Sequence, residues 1–306
     1  METPSRRPDA HPDAAPKEAQ EANVLTRKTG YLTIRDDDAD IPPAAHELQQ
    51  EGFTLLSQLF SPLEVGALAD EIASVFDDVR PDIRSTRVAD GHFEPFRYEM
   101  LNRSALAHQA ISHPAILSVI EPLLGEDCHV IANTAWRQPA DDNRHGGRFW
   151  HIDSGPHVPR PADVSWDERI PYPIFAVACH IFLMDCPLES GPTGVIPRSH
   201  TSGQGPPRGR AADDTLTWNG VGPVPVVARA GDVSLFVSDA WHRRLPSLDG
   251  DPGRFFLQVH YGRRDLAQRL RTTDRANQLS EAAIARATTL RERALIGLHK
   301  PGFYDG

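Results

Sequence analysis

The sequence predicts an α+β fold with a mainly β core, a sandwich or barrel of short strands carrying a layer of helices. Three observations predict it. From residue 128 to about 264, short apolar or alternating runs are separated by Gly, Pro and Asp turns, the texture of a many-stranded β structure. On both sides of that stretch, apolar residues recur at helical spacing. The chain has 306 residues, 40% of them apolar and 24% charged, which suffices for one large core, and no internal repeat divides it. The order of helices, then strands, then helices fits one β core with an α layer better than two independent domains.

Residues 1–30 are dominated by Pro, Ala and charge, so they are expected to form a disordered N-terminal tail. A single domain is expected over 31–306, with a helical part at 43–125, a β core at 128–264 and C-terminal helices at 265–296. The run Asp36-Asp37-Asp38 reads as solvated loop. Residues 43–51 read as a short helix and 52–56 as a strand. Ser61, Pro62 and Glu64 form a capping box with Pro at the first helical position, and Val65, Leu68, Ile72, Val75 and Phe76 continue that helix on one face. A second helical stretch covers 104–124, restarting at His113-Pro114 and ending at Gly125. Strand-like runs follow at 128–138, 148–153, 174–185, 193–197, 224–229, 232–237, 239–245 and 254–262. Residues 265–271 and 280–296 return to helix.

Composition narrows the function. Asp and Glu number 42 against 32 Lys and Arg, a net charge of −10 that is a poor match for nucleic acid or an anionic membrane surface. No run of about 18 apolar residues exists and the N-terminus lacks an apolar signal core, so a cytoplasmic protein is expected. Cys128, Cys179 and Cys186 are odd in number and form no Cys-x-x-Cys pair, which fits a reducing compartment. The expected partner is a small-molecule substrate, and the chain is expected as a monomer or homodimer. Arg outnumbers Lys 29 to 3, a skew that reads as codon bias.

The 14 histidines raise the question of a metal. His46, His92, His108, His113 and His299 have no companion at ligand spacing. His11-Pro12-Asp13 lies in the expected tail and reads as chance. His151-Ile152-Asp153 follows the β-type run Arg148-Phe149-Trp150. In a strand, residues two apart share a face, so the imidazole and carboxylate can converge on one ion. Downstream, the apolar strand Asp232–Val237 leads through Ser238-Asp239-Ala240-Trp241 to His242. Two His and one carboxylate make the facial triad of non-haem Fe(II) oxygenases, leaving three positions open for a bidentate cosubstrate and O₂. Arg254 comes twelve residues after His242, past a Pro- and Gly-rich turn that reverses the chain. Its planar, bidentate guanidinium suits the distal carboxylate of 2-oxoglutarate.

These segments, together with Asp185-Cys186-Pro187-Leu188-Glu189-Ser190-Gly191-Pro192 and Val195-Ile196-Pro197-Arg198-Ser199-His200, resemble the phytanoyl-CoA dioxygenase family over roughly 45–264. Ser190 stands where Asn is usual in that family and Arg198 where Gly is usual. The resemblance implies a double-stranded β-helix core, jelly-roll or cupin-like, with flanking helices. It implies Fe(II), 2-oxoglutarate and O₂ as cosubstrate. It assigns His151, Asp153 and His242 to the metal and Arg254 to 2-oxoglutarate, with Asn133 and Thr134 as polar partners of the cosubstrate. Trp136, Gln138, Trp150, His180 and Trp166 are further pocket candidates. His200 reads as structural and His260 as packing.

The reaction expected is hydroxylation, or another oxidation such as desaturation, of an unactivated C–H bond in a small organic molecule, with release of succinate and CO₂. A role in secondary-metabolite biosynthesis is expected. Halogenation is disfavoured because Asp153 fills the position that halogenases of this scaffold leave small. The long segments 154–173 and 201–222 are expected to shape substrate choice. Two other readings stay open: a cupin-like metal dioxygenase that needs no 2-oxoglutarate, and a catalytically silent binding protein on the same fold.

Overall fold

The computed structural model describes residues 41–78, 88–89, 92–93, 96–140, 149–266 and 279–298. The expected tail, the acidic run at 36–38, His11, His299 and most of the expected helix at 265–271 lie outside them.

The helices form where the caps predict. Helix α1 (Pro43–Glu51) ends at Gly52, which takes a left-handed φ of 84°. Strand β1 (Phe53–Leu56) leads to α2 (Pro62–Asp77). Ser61 caps α2, accepting from the Glu64 amide, while the Glu64 carboxylate accepts from the Ser61 amide at 2.8 Å. After the short strands β2 (Val88–Ala89), β3 (His92–Phe93) and β4 (Phe96–Tyr98), the helical stretch expected at 104–124 with a restart at His113-Pro114 is α4 (Ala105–Ile111) followed by α5 (Pro114–Leu124), preceded by α3 (Met100–Arg103). The break has a local cause. Pro114 lacks an N–H to continue the ladder, and His113 Nδ1 caps the restart by accepting from the Ala115 amide at 3.2 Å. The C-terminal helical stretch is likewise split, into α6 (Glu281–Arg286) and α7 (Leu290–Leu295), each with its own Ser or Thr cap. No helix among the described residues is long and apolar enough to cross a membrane.

The core is two facing antiparallel sheets, the jelly-roll layout of a double-stranded β-helix. The larger has the order β1-β9-β6-β11-β5-β4 and the smaller β10-β7-β8. Besides β1 and β4, the strands of the two sheets are β5 (His129–Gln138), β6 (Ala176–Phe182), β7 (Thr193–Val195), β8 (Val224–Pro225), β9 (Val233–Val237), β10 (His242–Arg244) and β11 (Arg254–Gly262). Alternation gives the large sheet two distinct faces. Val177, Cys179 and Ile181 of β6, Val233, Leu235 and Val237 of β9, and Leu257, Val259 and Tyr261 of β11 join Leu68, Ile72, Ile116 and Ile120 of the helices in one buried cluster. This is the helix-covered face. The opposite face looks toward the small sheet, where Ala178 and Phe236 meet Val195 and Val226.

Register assigns the inner face row by row. Ser234, His180, Gln258, Thr134 and Tyr98 are successive partners across β9, β6, β11, β5 and β4. On one side of this polar row runs an aromatic row, Phe182, Phe256, Trp136 and Phe96. On the other run Phe236, Ala178, His260 and Ala132. The β5–β11 pairing carries a bulge between His260 and Tyr261, whose partners are Ala132 and Val130. A bulge adds one residue to a strand and so exchanges the faces of everything beyond it.

A candidate metal centre on the inner face

His151 does not lie in a regular strand. It forms a single bridge to His242, with reciprocal amide-to-carbonyl bonds of 3.0 Å in both directions. The Asp153 amide donates to the Ser238 carbonyl at 3.0 Å. Backbone bonds thus tie the His-x-Asp segment to the chain around His242, and register along one strand is not what converges the side chains.

His151, Asp153 and His242 offer one ligand atom each within 4.8 Å of one another. Each imidazole has its Nδ1 against a backbone carbonyl: Phe149 at 3.0 Å for His151, Ala240 at 2.9 Å for His242. A carbonyl only accepts, so both rings carry the proton on Nδ1 and leave the Nε2 lone pair free. The two Nε2 atoms lie 3.8 and 3.5 Å from Asp153 Oδ1. Two imidazole Nε2 atoms and one carboxylate oxygen therefore point to one place, a donor set that fits a divalent first-row metal. The His151 side chain is 51% exposed, so the group opens to solvent on that side.

Electrostatics follow from burial and pairing. Burial and the neighbouring His242 lower the pKa of His151. Burial also works against a proton on His242, but the Asp153 charge and hydrogen bond outweigh it and raise that pKa. Burial alone would raise the Asp153 carboxyl, yet His242 and His260 together hold it well below the usual range.

Sequence reading missed His260. It is not merely packing: its Nε2 lies 2.8 Å from Asp153 Oδ2. Gln258 was missed too. Trp136 Nε1 donates to Gln258 Oε1 at 2.6 Å and Thr134 Oγ1 donates to the same oxygen at 3.1 Å. An indole N–H only donates, so the Gln258 amide nitrogen must face His180 Nε2, 3.3 Å away. That places the His180 proton on Nδ1, which has no partner among the described residues. Burial first, then the charge of Arg254, keeps His180 well below the ordinary imidazole range and so neutral. One signal could have found both residues: Arg254, Phe256, Gln258 and His260 alternate on one strand, so assigning the first to the site assigns the others to its face.

Arg254 is buried on this inner face with its guanidinium 5.2 Å from the Phe256 ring. Its Nε donates to Gln138 Oε1 at 3.1 Å and its Nη1 to the Gly191 carbonyl at 3.1 Å. Among the described residues it has no ion pair with a carboxylate. Burial, and then the like charge of Arg244, push its pKa down to about 9. Gly191 is required where it stands. Its φ is +60°, and a Cβ there would lie 2.4 Å from the Leu245 carbonyl oxygen.

The remaining candidates separate. Thr134, Trp136, Gln138 and His180 share the inner face with Arg254. Asn133 pairs in register with Val259 and so occupies the helix-covered face, where its Nδ2 donates to the Gln258 carbonyl at 3.0 Å. Trp150 is buried with Ile196, Leu216 and Trp241, and its Nε1 donates to the Asp213 carbonyl at 2.9 Å. Trp166 packs edge-on against Tyr172 and lines a cleft of about 1220 Å³ formed with Arg160, Arg198, Trp218 and Trp241. Both segments expected to shape substrate choice contribute to the lining of that cleft, and His151, Asp153 and His242 do not. His200 is buried, its Nε2 3.0 Å from the Gln49 carbonyl and its ring beside Gly52.

The family model described as "Phytanoyl-CoA dioxygenase (PhyH)" matches residues 48–246. No curated protein matches. Solved structures similar to this chain include three with a TM-score of 0.54. The epimerase SnoN, in complex with Fe³⁺, alpha ketoglutarate and nogalamycin RO, is 17% identical over 74% of this chain and 85% of its own. HygX from Streptomyces hygroscopicus, with nickel and 2-oxoglutarate bound, is 18% identical over 74% of this chain and 88% of its own. EvdMO1 is 16% identical over 72% of this chain and 49% of its own. At these identities the likeness is one of fold.

Proposed function

The chain belongs to the phytanoyl-CoA dioxygenase family, and from that premise we propose that it is an Fe(II)- and 2-oxoglutarate-dependent dioxygenase acting on a small organic molecule. One observation carries the cosubstrate: Arg254 is a buried cation without a carboxylate partner among the described residues, on the same inner face as the donor set. A buried charge left unpaired is strongly destabilising, so an anionic guest is expected opposite it. A dicarboxylate whose other end reaches the metal satisfies both demands.

In this reading His151, Asp153 and His242 hold the iron. Arg254 receives the distal carboxylate of 2-oxoglutarate, and Gln138 and the Gly191 carbonyl fix the guanidinium plane. Thr134, Trp136 and Gln258 lock one another and hold His180 in a single tautomer, presenting its Nδ1–H as a fixed donor. The aromatic row of Phe182, Phe256 and Trp136 keeps water from the buried end of the pocket. Bound there, iron and cosubstrate supply O₂-dependent oxidation of a C–H bond, with succinate and CO₂ as coproducts. Asp153 leaves no place for a halide, so hydroxylation or desaturation is favoured over halogenation. We place the enzyme in the cytoplasm as one oxygenase domain over 31–306, and its substrate in secondary metabolism. SnoN, crystallised with nogalamycin RO, supports that last assignment by similarity of fold.

The test is direct. Anaerobic Fe(II) with 2-oxoglutarate should give the weak visible charge-transfer band of a chelated complex. Asp153→Ala should abolish it, and Arg254→Ala should demand a much higher 2-oxoglutarate concentration to form it. A folded, metal-loaded protein without the band would refute the reading.

A further inference from the structure

The two oxygens of Asp153 are treated differently by the protein. Oδ1 faces both histidine nitrogens, at 3.8 and 3.5 Å. Oδ2 is taken by His260 Nε2 at 2.8 Å. His260 itself is outside the group whose donor atoms lie within 4.8 Å of one another. The fold builds a slot for this imidazole. Its register neighbours on β5 and β6 are Ala132 and Ala178, the smallest pair on the inner face beside it. The bulge follows directly after His260, and bulges re-aim the side chains next to them.

We propose that His260 is a positioning residue that occupies Asp153 Oδ2 and thereby presents Asp153 to the metal through Oδ1 alone. The inference rests on reading His151, Asp153 and His242 as the metal ligands. A carboxylate free at both oxygens can rotate or bind through both. A carboxylate pinned at one oxygen has a single orientation, and it leaves a coordination position for cosubstrate that a bidentate carboxylate would fill. Hydrogen bonds of this kind to ligating groups are worth roughly 10–100-fold in metal affinity when removed.

The experiment measures anaerobic binding of Fe(II), and separately Mn(II), to the wild-type chain and to Asp153→Ala, His260→Leu and His260→Gln. His260→Leu fills the slot but cannot donate, and should weaken binding roughly 10–100-fold. His260→Gln can donate from nearly the same point and should restore most of that loss. The charge-transfer band with 2-oxoglutarate should shift in the Leu variant and return in the Gln variant. Should His260→Leu not fold, His260→Asn replaces it, since its amide is too short to reach Oδ2. Wild-type affinity and an unshifted band in the Leu or Asn variant would overturn the proposal. So would loss of one coordinated imidazole from the pulsed electron paramagnetic resonance of the Cu(II)-loaded Leu variant, which would make His260 a ligand. If Asp153→Ala binds metal as tightly as wild type, the ligand assignment itself fails, and that outcome is distinct from either of these.

Discussion

Single residues carry most of the chemistry here, and two of them make measurable commitments. Arg254 is held by one amide oxygen and one carbonyl, both neutral, and among the described residues no carboxylate makes an ion pair with it. Truncating one partner of a buried, hydrogen-bonded charge pair costs about 2–5 kcal/mol. Arg254→Ala should therefore weaken 2-oxoglutarate binding to the Mn(II)-loaded protein by about that amount in titration calorimetry, with Mn(II) affinity little changed. His200 makes a different commitment. Burial drives its pKa down from 6.5 to about 4, so the folded state keeps the ring neutral while the unfolded chain would protonate it. Its contribution is fully present above pH 6.5 and is lost as pH falls from there toward 4. By linkage that loss is about 3 kcal/mol at most. The midpoint of thermal unfolding should drop across that window, and His200→Gln should flatten the drop.

At the scale of elements, β11 and the turn before it decide the site. Gly191 lies across from that turn, and its carbonyl accepts from both Arg254 and Arg244. Gly191→Ala must either move the Leu245 backbone or leave the left-handed region, at a cost of about 1–3 kcal/mol. It should lower the unfolding midpoint and weaken 2-oxoglutarate binding together, a joint loss that Arg254→Ala should not show in stability. Strands also explain what was legible in the sequence. The triad and Arg254 could be read because His-x-Asp, the later His and the Arg are recognisable by type and spacing. Thr134 and Asn133 could not be told apart, because adjacent residues on a strand face opposite ways and the bulge near Val130 sets which of them faces in. His260 and Gln258 needed the pairing of β11 with β5 and β6, segments far removed in the chain. Trp150 looked like a pocket residue because it adjoins His151, but its ring is buried in a separate cluster with Ile196, Leu216 and Trp241.

For the molecule as a whole, the two-faced sheet divides labour. Its outer face is apolar and welded to the helices, so the helical layer supplies stability. Its inner face holds polar atoms without a partner among the described residues, including His180 Nδ1 and Ser234 Oγ. Such groups cost stability until something binds them. Ligands that bind the folded state alone stabilise it by mass action, about 2.7 kcal/mol at a hundred times Kd. Mn(II) with 2-oxoglutarate should raise the unfolding midpoint more than Mn(II) does, and neither should do so in Arg254→Ala beyond the Mn(II) effect. A midpoint indifferent to both would mean that the inner face is not their site.

The reciprocal backbone bridge between His151 and His242 has a consequence for how the chain reaches this state. It joins segments distant in sequence, and such pairings form late because the intervening loop must close first. A chain in which this bridge has not formed therefore keeps His151 and Asp153 apart from His242. In the proposed reading of these residues as metal ligands, the complete donor set exists only once the two sheets have closed on each other, so tight metal binding becomes a signature of the folded chain.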